Sequence, residues 1–318
     1  MINACKEEFS VSEDVFTVNE FDVKSIFRSV KAGKACGPDG VKGRVLKVCA
    51  DQLSSIFTHI FNLSLSSGHI PLAWKMSKII PVPKKPIVKE LNDLRPVALT
   101  SIIMKCLERL VLNHIKSHFT EFQDPLQFAY RPKRSVEDAI IVFLNNIYKH
   151  LDTPGNYCRI LFVDFSSAFN TIQPHILAPK LKSINLSNCV ISWILDFLTN
   201  RPQFVKLNNF ESDIIVTNTG APQGCVISPV LFTIYTNDCS FNNKNVALIK
   251  FADDSTMQGF IVQSNEIVYR DSVQDFSLWC DKHFLDLNVT KTKELVIDFR
   301  LKREPILPLT IKMSLLTS

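Results

Sequence analysis

Apolar residues recur along this chain at two spacings, and the change from one to the other divides it into elements. Val23, Ile26, Phe27 and Val30 keep helical spacing behind a capping box of Thr17 and Glu20, until Gly33 ends the run. The turn Gly37-Pro38-Asp39-Gly40 leads to a second helix on which Leu53, Ile56, Phe57, Ile60 and Phe61 run toward Gly68. Between Ile70 and Leu99 stand Pro71, Pro81, Pro83, Pro86 and Pro96, too many for a helix interior, so short strands and turns are predicted there. Two helices follow, over 101–119 and, after a Ser135 cap, over 136–151.

From residue 159 the spacing changes. Residues 159–164 read as a strand whose four consecutive apolar residues imply burial on both faces in the middle of a sheet, and the strand ends on Asp164. Pro174 opens a helical region with Ile191, Ile194, Leu195 and Leu198 on one stripe, stopped by Asn200 and Pro202. Residues 204–207 and 214–217 suggest a small antiparallel pair. After the loop 220–224, Ile227, Val230, Leu231, Ile234 and Tyr235 mark a further helix. Two strands, 246–252 and 255–262, then flank Asp253-Asp254, a hairpin with paired acids at its tip. Val273, Phe276, Cys280 and Phe284 mark one more helix, and 295–299 a last strand.

At 318 residues, 46% hydrophobic and 21% charged, the chain can bury one large core or two smaller ones. Its longest apolar stretches fall far short of the roughly 20 residues that cross a bilayer. The N-terminal segment lacks the basic and apolar regions of a secretory signal, so the expected location is inside the cell, in the nucleus or cytoplasm, with no membrane partner. Nine cysteines stand singly, without C-x-x-C pairing or histidines at ligand spacing, and read as reduced, mostly buried thiols. The net charge of +5 is unevenly spread: Lys75, Lys78, Lys84, Lys85 and Lys89 form one basic run, and Arg131, Lys133 and Arg134 another.

If the strand ending in Asp164 and the Asp253-Asp254 hairpin share a sheet, three carboxylates converge. They repel one another unless divalent cations neutralise them, and all-oxygen ligands of this kind suit Mg²⁺. Two such ions, roughly 3.5–4 Å apart, can activate a hydroxyl and stabilise a leaving pyrophosphate. The surrounding residues carry a resemblance. Phe162-Val163-Asp164-Phe165-Ser166-Ser167-Ala168-Phe169 resembles the first palm motif of reverse transcriptases, Ala221-Pro222-Gln223-Gly224 the second, and Phe251-Ala252-Asp253-Asp254 the third, in the family's order. The similarity is nearest to the LINE-type enzymes of non-LTR retrotransposons and covers about 31–300. Gly33 to Gly40, Leu94 to Leu99, Gln127 to Arg131 and Leu287 to Lys293 support it.

The resemblance implies an α+β fold, a right-hand polymerase with fingers and an antiparallel palm sheet backed by helices, its thumb missing or truncated. The expected divisions are 1–69, an N-terminal helical extension of the fingers; 70–156, fingers; 157–305, palm, with 174–219 folding back toward the fingers; and 306–318, a truncated tail. Relatives of full length carry an endonuclease before this region and a thumb after it, so the ends are expected to be those of a truncated mobile-element copy. By the same resemblance Asp164 and Asp253 are the principal metal ligands, Asp254 is an accessory acid, and the Phe165 carbonyl completes the coordination of two Mg²⁺ ions, with Mn²⁺ the alternative. Phe169 matches a steric gate that excludes a 2′-hydroxyl. Gln223 and Gly224 match the loop at the incoming nucleotide. Lys84, with Lys78 and Lys85 as neighbours in contention, and Arg95 match cations on the triphosphate. Lys291, or else Lys293, matches the proton donor to pyrophosphate, and Tyr130 and Arg131 line the nucleic-acid channel. The function implied is RNA-directed DNA polymerase acting on an RNA template, a DNA primer and dNTPs, with no oligomeric state implied. A catalytically inert nucleic-acid-binding fragment is the alternative.

Overall fold

A computed structural model describes residue 9 and residues 15–241, 243–303, 305–311 and 314–315 of the chain. Cys5, the N-terminal segment apart from Phe9, and part of the 306–318 tail lie outside the described residues. No disulfide joins the eight described cysteines, and six of them are buried. Contacts divide the chain into two compact units that alternate along it, residues 1–122 with 173–231, and residues 123–172 with 232–318. These units are drawn by contacts and differ from the expected divisions; the helix Val136–Leu151, expected with 70–156, packs on the sheet that follows it.

In the first unit the helix Glu20–Ser29 is capped by Asn19, whose side chain accepts the Asp22 N–H at 2.9 Å. The cap expected at Thr17 is thus displaced by two residues, since Asn19 has its own acid three positions on. The helix Ala50–Ser67 ends on Gly68 at φ 61°, and Ile102–Phe119 begins under Ser101, whose hydroxyl accepts the Met104 N–H at 3.3 Å. Phe27, Phe57, Phe61 and Trp74 meet between these elements, Phe57 stacked on Trp74 and the other pairs tilted or edge-on. The proline-rich stretch forms the antiparallel strands Ser77–Pro83 and Leu94–Leu99. The strand Arg201–Leu207 joins Ser77–Pro83 in parallel, and Ile215–Thr217 pairs antiparallel with its first three residues. That strand starts earlier than the sequence pattern suggests, because Asn200 turns the backbone at φ 48° and donates its N–H to Asn218 Oδ1 at 2.8 Å. Buried Asp196 accepts the Ile70 N–H (2.9 Å) and pairs with buried Lys75 (3.1 Å), tying the proline-rich stretch to the helix Asn188–Leu198.

The second unit is built on a four-stranded antiparallel sheet ordered Val246–Phe251, Asp254–Ile261, Tyr157–Val163, Lys293–Ile297. Tyr157–Val163 has a neighbour on each side and is buried on both faces except at Phe162, as its apolar run requires. The helix Val136–Leu151, held by a Ser135–Asp138 capping box, lays Ala139, Phe143 and Ile147 on one face. On the other, the Tyr269 ring of the helix Ile267–Lys282 lies against Gly259, where even a methyl group would come within 2.3 Å of it. No described helix is long and apolar enough to cross a membrane.

Arg159, opposite Gly259 in the register, is wholly buried. Its guanidinium donates to both oxygens of Glu294 (2.9 and 2.7 Å), to Glu266 (2.6 Å) and to the Leu307 carbonyl (3.1 Å). Tyr157 and Tyr269 donate their hydroxyls to the same two glutamates. Arg270 adds bonds to the carbonyls of Leu307 and Pro308. Five donors in a fixed fork suit this site. Removing the fork strands two acids, so Arg159→Met is expected to lower unfolding free energy by about 3–5 kcal/mol. Denaturant titration checks this, and a loss under about 1 kcal/mol would contradict it.

Candidate active site

The central strand delivers Asp164 directly after Val163, which pairs with Ser255 of the adjoining strand. There Phe251 pairs with Asp254, leaving Ala252 and Asp253 as a two-residue turn. The three acids named from the sequence therefore stand together at one end of one sheet. The turn is strained: Ala252 sits at φ 59°, where a side chain costs roughly 1–2 kcal/mol.

A second strand-like segment wraps Asp164. Asn288 N–H donates to the Asp164 carbonyl (2.9 Å) and Ser166 N–H to the Asp286 carbonyl (2.8 Å), which sets Phe165 opposite Leu287 in an isolated bridge. The bridge uses bonds on either side of Phe165, so its carbonyl is not consumed. Asn288 also organises the loop beyond, accepting the N–H groups of Lys291 (3.1 Å) and Thr292 (2.8 Å), and this brings Lys291 Nζ to 3.7 Å from Asp164 Oδ2. Lys293, the alternative, instead opens the last strand opposite Phe162. Phe169 lies on a short 3-10 turn, partly exposed, its ring 4.8 Å from that of Phe232.

Burial, then the charges of Asp253 and Asp164, hold the Asp254 carboxyl above its ordinary value. The Tyr130 phenol is raised by burial and then by Asp253 and Asp254, which locates the ring beside the acids. Among the described residues no group of three or more His, Cys, Asp or Glu side chains closes into a metal cage. Mutual repulsion favours such an open arrangement. The donor chemistry nonetheless suits a divalent cation: the candidate donors are all oxygens, and Asp164 Oδ2 is buried without a hydrogen-bond partner among the described residues.

The remaining candidates are placed as follows. Half-exposed Tyr130 sits at φ 59°. Arg131 is tied to its own segment, with Nη1 donating to the carbonyls of Asp124 (2.9 Å) and Gln127 (3.3 Å). In the first unit, Lys84 Nζ donates to the Asn92 carbonyl (2.9 Å) and Lys85 pairs with Asp93 (2.6 Å), while exposed Arg95 forms no ion pair among the described residues. Lys78 lies within its strand, paired on both sides. The loop Ala221–Gly224 is fixed from three directions. Its Gln223 carbonyl accepts the Ala98 N–H (2.9 Å), Ser228 Oγ donates to the Pro222 carbonyl (3.0 Å), and buried Glu108 accepts the N–H groups of Val226 and Ile227. Gly224, at φ 111°, leaves no room for a side chain, since a Cβ would stand 2.9 Å from the Ala98 oxygen.

The sequence model of the reverse transcriptase (RNA-dependent DNA polymerase) family matches residues 82–310, well over half the chain. The chain belongs to that family. It is 24% identical over 298 residues to the RNA-directed DNA polymerase from mobile element jockey of Drosophila melanogaster, covering 89% of this chain and 32% of the relative. Its identity to the Drosophila funebris jockey polymerase is 27% over 301 residues, covering 89% and 32%. To the probable RNA-directed DNA polymerase from transposon X-element of Drosophila melanogaster it is 28% over 293 residues, covering 88% and 31%. This reverse transcriptase chain thus spans about a third of the length of the curated relatives it matches, and the non-LTR resemblance holds. Among solved structures, telomerase from Candida tropicalis in complex with a fragment of telomeric RNA superposes with a TM-score of 0.52 at 15% identity, over 77% of this chain and 44% of that one, which bears out the fold. Reverse transcriptases use divalent metal ions as a family.

The family match runs past Arg300, where the motif resemblance was expected to end. Residues 307 and 308 dock through backbone carbonyls, an interaction that leaves little trace in side-chain pattern. Asn288 and Gln127 lie in the supporting segments without a role attached to them, and Asp124 and Lys250 were not singled out. A lysine inside the apolar run Val246 to Ala252 was the available signal for the last.

Because folded Asp254 keeps its proton above the ordinary 3.8, stability falls as pH rises through its folded pKa. Asp254→Asn escapes that loss. In metal-free buffer this reverse transcriptase variant is expected to melt above wild type, by a margin that grows from pH 4 and then levels off, and to gain less than wild type from added Mg²⁺. Melting scans across pH with and without Mg²⁺ check both effects; equal melting temperatures at neutral pH would contradict the first.

Proposed function

We propose that this chain is the catalytic core of an RNA-directed DNA polymerase of a non-LTR retrotransposon, extending a DNA primer with dNTPs along an RNA template. The observation that carries the reading is the meeting of Asp164, Asp253 and Asp254 at one end of the antiparallel sheet within a chain of the reverse transcriptase family. Two Mg²⁺ ions, or Mn²⁺, held by these acids with the Phe165 carbonyl would supply activation of the primer 3′-hydroxyl and charge stabilisation on pyrophosphate.

The chain's own groups take the other roles. The Lys291 ammonium, 3.7 Å from Asp164, hands a proton to the leaving pyrophosphate. Phe169, backed by Phe232, excludes the 2′-hydroxyl of a ribonucleotide. Arg95, exposed and forming no ion pair among the described residues, is the leading triphosphate cation, with Lys84, directly after the partner strand Ser77–Pro83, supporting it. Gln223 and Gly224 offer backbone to the incoming nucleotide. Tyr130 stacks along the RNA–DNA hybrid, and Arg131 braces the turn that presents it. The nucleus or cytoplasm is the site of action.

Primer extension on poly(rA) annealed to oligo(dT), with Mg²⁺ and either dTTP or UTP, tests the reading. Wild type should incorporate dTTP in preference to UTP, Asp253→Ala with Asp254→Ala should fall to background, and Phe169→Val should narrow the sugar preference by about tenfold, some 1.4 kcal/mol. A wild type as inert as the double variant, yet able to bind the hybrid in a salt-dependent way, would leave a nucleic-acid-binding fragment instead.

A further inference from the structure

Gln127 opens the motif segment in which only Tyr130 and Arg131 have been given roles, and the second unit holds it from several sides. Lys250 N–H donates to the Leu126 carbonyl and Phe128 N–H to the Lys250 carbonyl, each at 2.9 Å, so residues 126–128 run parallel to the end of the acid hairpin's first strand. Below this bridge the buried Lys250 ammonium pairs with Asp124 (2.7 Å) and donates to the carbonyls of Thr236 (2.9 Å) and Cys239 (2.8 Å). Asp124 in turn accepts the Leu126 N–H at 2.9 Å. The register leaves the Gln127 side chain facing the turn two residues beyond Lys250.

That side chain is 1% exposed. Its Oε1 accepts two backbone N–H groups, from Ala129 (3.0 Å) and Ala252 (3.2 Å). Both partners are donors, so the oxygen must face them. Its Nε2 is buried without a hydrogen-bond partner among the described residues, a cost an apolar residue of the same length would avoid. Ala129 precedes Tyr130, and Ala252 precedes Asp253. Tyr130 and Ala252 are both at φ 59°. One oxygen therefore ties together two strained stretches of backbone, where strain and carboxylate repulsion both act to open the hairpin tip.

We propose that Gln127 is a positioning residue for the polymerase reaction, its Oε1 clamping Ala252 in its positive-φ turn so that Asp253 and Asp254 are presented beside Asp164 and Tyr130. The reaction it serves is the one proposed above. The clamp itself is a property of the folded chain.

The test uses the 318-residue chain as wild type, Gln127→Met, which keeps the length and loses the acceptor, and Gln127→Met combined with Ala252→Gly. Glycine adopts positive φ without strain, so it holds the turn without help. Amide exchange at residues 251–255 and the kcat and KM of dTTP incorporation are measured in parallel. Gln127→Met should speed exchange at the tip by about tenfold while residues 157–163 stay protected, and should lower kcat by a similar factor with little change in KM. The added Ala252→Gly should recover both. Unchanged exchange and kcat in Gln127→Met overturn the clamp, and so does a loss that Ala252→Gly fails to recover, which marks a packing role. Should wild type incorporate nothing, the polymerase reading fails, and tip exchange alone still decides for or against the clamp.

Discussion

Three carboxylates brought to one end of a sheet repel one another, and much else in the second unit answers that repulsion. Asp254 bears it as a carboxyl held above its ordinary range by burial and by its two acidic neighbours. Left alone, a two-residue turn with an alanine at φ 59° and acids on its far side would open. The backbone around it is instead bonded on both flanks, by Asn288 to the Asp164 carbonyl and by Gln127 to the Ala252 N–H. The repulsion that remains is of the kind a bound divalent cation would relieve.

The same sheet is braced away from the acids by charge used in the opposite sense. Arg159 near the start of the central strand joins Glu266 and Glu294, with tyrosine hydroxyls filling the remaining acceptor capacity. Lys250 and Asp124 repeat the device beneath the hairpin. Buried pairs of this kind specify geometry more than they add stability, because desolvation offsets most of their attraction. Geometry is what a metal-dependent site needs. A strand that is paired on both edges and locked at its start can present Asp164 reproducibly at its end.

Local pattern made much of this legible. The helix over 101–119, the Ser135 cap, the stop at Gly68, the buried central strand and the acid hairpin were all readable because each is written in consecutive residues. Where the pattern misled, a near-equivalent competed, as Asn19 did with Thr17. What stayed hidden depends on distance along the chain. The parallel pairing of Ser77–Ile79 with Gln203–Val205 leaves no local signature, and neither does the reach of Arg159 to the carbonyl of Leu307. Of the site, the acids and their motif neighbours could be named from sequence. Their supports could not, since Gln127, Asn288 and Lys250 act on backbone groups that any residue could supply.

Under the proposed function, the sheet end formed by Asp164, Asp253 and Asp254 binds two divalent ions close together. Electron paramagnetic resonance of Mn²⁺ bound to the chain with primer, template and a non-incorporable dNTP tests it directly. The expected result is a spin-coupled pair of ions, as a separation of roughly 3.5–4 Å requires, that disappears in Asp253→Asn. An uncoupled signal that survives that substitution would contradict it.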